Sequence, residues 1–150
     1  MRGTQLKYNF ESFEMSSIGI GIVGGGYMGK AHSVAFSAVA GVFQTALRPR
    51  LVTICAQTET NAERYRNAYG FEKATSNWKD LISDPAVEAI VIASPQHTHH
   101  DIAVAALNAG KPVLCEKPLG CSLEQSRSMV AAAKASGVAN MVGFNYIRTP

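Results

Sequence analysis

The sequence predicts an α/β fold in which an open, doubly wound parallel sheet carries helices on both faces. Three observations predict it. Short runs rich in β-branched residues alternate with longer, alanine-rich segments of helical period. The runs are apolar without polar alternation, as strands covered on both faces must be. A glycine cluster, Gly24-Gly25-Gly26 with Gly29, stands where the first run gives way to the first helical segment.

The elements follow in order. SIGIGIV (17–23) reads as a buried strand. The segment 27–39 reads as a helix with a small-residue face of Met28, Ala31, Ala35 and Ala38, spaced as one side of a helix requires. RLVTICA (50–56) is a second strand, and Thr60 with Glu63 reads as a capping box opening a helix to Ala68. Gly70 stops that helix. A weak strand near 71–74 and a short helix near 77–82 lead to the turn at Asp84-Pro85. VEAIVIA (87–93) is the clearest strand. A helix over 99–108 ends before Gly110, and PVLCE (112–116) is a strand. Ser122 and Gln125 cap a helix that runs to Gly137, and ANMVGF (139–144) is the sixth strand.

Bulk properties narrow the function. The 150 residues are 47% hydrophobic with a net charge of +3, which suits one globular domain. No block of like charge and no interleaving of aromatic and basic residues points to nucleic acid. No apolar run approaches the ~20 residues of a membrane helix. Cys55, Cys115 and Cys121 are odd in number and form no CxxC pair, so neither a disulfide framework nor a zinc site is expected. Cys55 and Cys115 sit in apolar runs and read as small buried hydrophobes, and the usage fits a reducing cytoplasm. Residues 1–16 read as a mobile polar tail without a signal-peptide core, ahead of a domain over 17–150. Met15 is a candidate start.

Gly24, Gly26 and Gly29 have G-x-G-x-x-G spacing between a predicted strand and a predicted helix. The first glycine permits a tight turn, the second admits a diphosphate to the main chain, and the third lets helix and strand pack closely. The diphosphate would meet the free N–H groups and positive dipole end of the helix. This context favours a dinucleotide on a Rossmann-type sheet, with Tyr27 and Met28 inside the motif; the alternatives are SAM or another nucleotide, or a glycine-rich turn that holds no ligand. The second strand ends in Ala56-Gln57, where an acidic residue ordinarily holds the ribose hydroxyls. Gln57 can bond the ribose neutrally. No arginine beside the strand end welcomes a 2′-phosphate, and Arg64 lies a turn or more away. NAD and NADP therefore both stay open, NAD being favoured.

Ser94-Pro95 ends the fourth strand on the carboxyl edge, where such sheets bind ligands. His97, His99 and His100 follow. His99 and His100 diverge on a helix and lack the i, i+4 spacing of paired metal ligands, so no metal site is expected. Glu116-Lys117-Pro118 closes the fifth strand on the same edge, among Leu114, Cys115 and Leu119. A lysine partly buried there, beside a cationic nicotinamide, would be tuned toward proton transfer. The alternative is a structural lysine paired with Glu116.

These stretches, IVGGGYMGKAH and ASPQHTHHDIAVAALNAGKPVLCEKP, resemble the glucose–fructose oxidoreductase / inositol dehydrogenase / MocA family from about residue 17 onward. The resemblance implies a two-domain NAD(P)-dependent oxidoreductase acting on sugars, polyols or cyclitols. It implies that Lys117 assists deprotonation of the substrate hydroxyl. It also implies that Glu116 and Lys117 border the nicotinamide ribose, and that Ser94, Pro95, His97 and His99 line the cofactor. Asn145 would approach it from the last loop, and the Lys117–Pro118 bond would be cis. The family's α+β substrate domain, with its aspartate, histidine and oligomer-forming sheet, would follow Pro150. The resemblance thus implies a cofactor-binding portion, inactive alone, of a protein that forms a homo-oligomer. Two alternatives share the fold. One is a non-catalytic sensor, as in the similar galactose-pathway repressors. The other is a glycosidase that transiently oxidises and re-reduces its sugar. An intact Lys117 favours an enzyme over a sensor.

Overall fold

The computed structural model describes residues 16–148. The segment 1–15, including the tail reading and the candidate start at Met15, lies outside the described residues, and β1 begins at Ser16. Six strands form one sheet in the order β3-β2-β1-β4-β5-β6. They are β1 Ser16–Val23, β2 Leu47–Cys55, β3 Lys73–Thr75, β4 Ala89–Ile92, β5 Val113–Cys115 and β6 Asn140–Val142. Every pairing is parallel. The helices are α1 Tyr27–Val42, α2 Glu59–Tyr69, α3 Trp78–Ser83, α4 His99–Asn108 and α5 Leu123–Ser136. The predicted doubly wound sheet is therefore observed, with its reversal of strand order between β1 and β4.

Two hydrophobic clusters sandwich the sheet. Ile20, Ile22, Leu51, Ile54 and Val91 pack under Phe36 of α1 and Tyr65 and Tyr69 of α2. Val52, Ile90 and Ile92 pack against Leu81 of α3, Ile102 and Leu107 of α4, and Met129 of α5. Consecutive residues Ile90, Val91 and Ile92 alternate between the clusters. Since both faces are apolar, the strand reads as a continuous hydrophobic run. The first face is shorter of helices. Over β4, β5 and β6 it presents an apolar groove of about 340 Å³ lined in part by Ile18, Phe36, Leu114 and Met141, and Met141 is 59% exposed.

Four local readings are corrected. The N-cap of α2 is Thr58, whose hydroxyl accepts from the Asn61 N–H at 3.2 Å, not Thr60. The buried side of α1 carries Gly29 and Ser33 with Phe36 half-buried, while Ala31, Ala35 and Ala38 face outward. The helix is rotated so that its glycine, not its alanines, meets the sheet. β2 starts earlier than expected, at Leu47, because Ser16 to Ile18 extend the ladder to Pro49. Proline is tolerated there because β3 pairs only with residues 53–55, leaving this part of β2 at an edge. The caps at Gly70 and Gly137 are left-handed as expected, with φ of 80° and 66°. Ser122 accepts from the Gln125 N–H, but the Gln125 side chain accepts from Cys121 N rather than closing the box on Ser122. Among the described residues no helix is long and apolar enough to cross a membrane.

The turn before β4 is held by Asp84. Its carboxylate accepts from the Lys73 ammonium at 2.6 Å and the Ala86 N–H at 2.9 Å. The Lys111 ammonium donates to the carbonyls of Asp84 and Val87, and burial pulls the Lys111 amine below its usual range. The hydrogen bond from Lys73, with that from Ala86, holds the Asp84 carboxyl below its ordinary value. Its stabilisation is therefore complete above the unfolded value of about 3.9 and is lost as pH falls through the native one. Asp84→Asn is expected to destabilise the chain at pH 7 by up to about 1 kcal/mol. In urea titrations the difference from wild type should shrink on acidification.

Candidate functional site

The carboxyl ends of β1, β2 and β4 open into one cleft. It encloses about 390 Å³ and is lined by Val23, Gly24, Cys55, Ala56, Gln57, Ser76, Trp78, Ser94, Pro95, His97, Thr98 and Ile102. That volume suits a small-molecule site. Main-chain bonds continue past the strands and fix its walls: Gly24 N–H donates to the Cys55 carbonyl at 2.8 Å, and Ala93 N–H to the Val23 carbonyl at 2.8 Å. Burial pushes the Cys55 thiol up to about 11 and the Cys115 thiol up to about 12. Both cysteines thus act as small apolar groups, as read from the sequence.

Whether a diphosphate fits the glycine turn is decided by three side-chain positions. Gly24 has φ +100°, and a Cβ there would lie 2.5 Å from the Ala93 carbonyl oxygen; only glycine serves. A Cβ at Gly29 would collide with the Gly24 carbonyl oxygen, so α1 rests directly on the turn. At Gly26, among the described residues, no atom beyond its chain neighbours and the adjoining helix backbone lies within 4 Å of the Cβ position. Among the described residues, packing therefore requires glycine at 24 and 29 but not at 26. Gly26 is the N-cap of α1 and caps it without a side-chain hydrogen bond. The N–H groups of the first turn, at Tyr27, Met28 and Gly29, have no intrahelical acceptor, the first helical bond running from the Lys30 N–H to the Gly26 carbonyl at 2.9 Å. Tyr27 is 87% exposed and Met28 half-buried. This is a cradle a diphosphate fits.

The other candidates separate into groups. Gly24, Gln57, Ser94, Pro95 and His97 share the cleft. Gln57 is exposed just past the end of β2. The Glu59 carboxylate accepts from the Ser76 hydroxyl at 2.6 Å and from its N–H at 3.2 Å. The Arg64 guanidinium lies 4.9 Å from the Tyr65 ring centroid. His99 does not face the cleft. It is 1% exposed, and its ring nitrogens lie 2.9 Å from the Ser94 carbonyl oxygen and 3.1 Å from that of Pro118. It ties the β4 end to the β5 end from beneath. His100 is taken up by Asp101 and Ser128, so the three histidines diverge.

At the end of β5 the expected burial falls on the neighbouring residue. Lys117 is exposed, and Glu116 is 5% exposed. The Glu116 carboxylate does not pair with the Lys117 ammonium. It accepts from His32 Nε2 at 2.8 Å and from the Lys117 main-chain N–H at 3.2 Å. Lys117 lies past the strand's last residue, so its apolar neighbours Cys115 and Leu119 turn into the sheet without covering it. The Lys117–Pro118 peptide is cis, as the resemblance implied. Asn145 is exposed on the loop after β6. Sequence reasoning missed Ser76, Trp78, Thr98 and Ile102 as cleft residues and His32 as the partner of Glu116. Trp78 was noticeable only as the single tryptophan. His32 carried one signal, its place one turn beyond Gly29.

Known proteins share the sequence pattern and the fold. The family model described as an oxidoreductase family with an NAD-binding Rossmann fold matches residues 18–144. Levoglucosan dehydrogenase of Pseudarthrobacter phenanthrenivorans is 45% identical over 138 residues, covering 91% of this chain and 35% of its own. An NAD-binding oxidoreductase from Klebsiella pneumoniae superposes with a TM-score of 0.86 at 41% identity, over 90% of this chain and 36% of its own. A levoglucosan dehydrogenase structure in complex with NADH and levoglucosan gives a TM-score of 0.86 at 40% identity, over 89% of this chain and 36% of its own. The chain thus spans about a third of the length of these relatives.

The glycine turn separates folding from binding. Gly29→Ala forces a Cβ into a carbonyl oxygen and is expected to cost about 3 kcal/mol or more. Gly26→Ala meets open space and is expected to cost less than about 1 kcal/mol, yet to weaken NAD or ADP binding at least about tenfold. Thermal melts by circular dichroism and calorimetric titration of both variants check the contrast.

Proposed function

The chain belongs to that oxidoreductase family with an NAD-binding Rossmann fold, and from this premise we propose that it binds NAD along the carboxyl edge of β1, β2 and β4. The bound cofactor would serve hydride exchange with a hydroxyl-bearing carbon of a sugar, polyol or cyclitol. The observation that carries the reading is the Gly26 position, open around its Cβ site while both flanking motif glycines are confined by main chain. The first-turn N–H groups of α1 would hold the diphosphate, Gln57 would bond the ribose next to adenine, and Trp78, Pro95 and His97 would line the adenine site. Glu116, Lys117 and Asn145 would border the other half of the cofactor. The nicotinamide ring supplies the hydride chemistry when bound.

Lys117 holds or releases the hydroxyl proton at its Nζ. Its exposure at the strand end leaves the amine free to meet a substrate presented from outside the sheet. A non-catalytic sensor would not use that amine. Substrate choice and assembly rest on parts of the relatives that this chain does not span, and levoglucosan, named for two of them, is the first sugar to try.

Two experiments test this. Gln57→Asp places a carboxylate where a 2′-phosphate would sit, and is expected to lower NADP affinity at least about tenfold while keeping NAD binding. Trp78 fluorescence or calorimetry reads both. For the chemistry, residues 18–144 are grafted in place of the matching third of levoglucosan dehydrogenase. Lys117→Met in that chimera is expected to lower kcat for sugar oxidation by about 10²–10⁴-fold at unchanged NAD affinity. An unaltered kcat would remove Lys117 from the reaction and bring the sensor reading forward.

A further inference from the structure

His32 and Glu116 lie 84 residues apart in sequence and 2.8 Å apart in space. The contact joins two elements with different tasks in the reading above. His32 stands on α1, one turn after Gly29, on the helix whose first N–H groups form the diphosphate cradle. Glu116 ends β5 and is followed directly by Lys117. Its carboxyl group is 7% exposed as a side chain, and a carboxyl group that deep must have partners. It has two. Oε1 accepts from His32 Nε2, and Oε2 accepts from the Lys117 main-chain N–H at 3.2 Å. A third element makes room for it: a Cβ at Gly143, just past β6, would lie 2.9 Å from Oε1. The carboxylate is therefore wedged between α1 and the ends of β5 and β6, with one oxygen on each side of the junction.

We propose that His32 is a positioning residue which, through the Glu116 carboxylate, holds the Lys117 main chain at a fixed distance from the diphosphate turn. This deepens the functional reading above and rests on it. One helix then sets both ends of the site: its first turn faces the diphosphate, and its second turn aligns the strand end that carries the proton-transfer lysine. The imidazole needs only one N–H for this task. Glutamine, whose side-chain N–H₂ reaches a similar point, can substitute. Alanine cannot.

The experiment uses this chain with His32→Ala and His32→Gln. In the ligand-free chain, His32→Ala is expected to speed hydrogen exchange at the Lys117 amide at least about tenfold without changing the β1 core amides. His32→Gln should stay near wild type. In titrations, His32→Ala should weaken NAD about fivefold, the effect of one hydrogen bond, while ADP, which reaches only the glycine-turn half, binds as before. Unchanged exchange at Lys117 in His32→Ala overturns the proposal. So does parallel loss of ADP and NAD binding, which would mark general damage to α1. If wild type binds neither nucleotide, the functional reading fails by itself, and the exchange measurement still decides what His32 does.

Discussion

The organisation of this domain depends on the contact between the third glycine of the turn and the carbonyl of the first. Gly29 rests on Gly24 so closely that no side chain fits between them. That contact sets how near α1 lies to β1 and how the helix is rotated. Once it is made, Ser33 and Phe36 follow onto the sheet, and Ser33 bonds back to the Gly29 carbonyl at 2.7 Å. The first-turn N–H groups are then aimed along the carboxyl edge of the strands. His32 is delivered to Glu116 by the same rotation.

The second organising feature is the reversal of strand order beside β1. Connections from β1 through β3 place α1 and α2 on one face, and those from β3 through β6 place α3, α4 and α5 on the other. The loops after β1 and β4 therefore part in opposite directions, and the space between them is the cleft. His99 and the main-chain bonds at Gly24, Ala93 and Glu116 keep the strand ends in register. The wall is rigid because the atoms that build it are main-chain atoms already paired.

The same connectivity leaves an asymmetry. Among the described residues no helix on the α1–α2 face covers β5 and β6, and Leu114 and Met141 line an apolar groove there. The helix count of each face follows from chain order, not from local preference.

Much of this could be read from the residues alone. Six apolar runs and the glycine spacing determined the class of sheet, since period and turn chemistry are local properties. The left-handed caps at Gly70 and Gly137 were legible for the same reason. The helix face of α1 was not, because alanine fits either a buried or an exposed side and the deciding contact lies on another segment. Thr58 and Thr60 are chemically equal as caps; the start of α2 chose between them. Lys117 stood out through its tripeptide, but its exposure depended on where β5 stops. The sequence by itself determined which strands and helices form and where the glycine turn lies between β1 and α1. Only the tertiary structure decided that Glu116 is buried and that His32, not Lys117, is its side-chain partner. A contact spanning 84 residues leaves no periodic trace, and it exists only once α1 has been seated on the sheet.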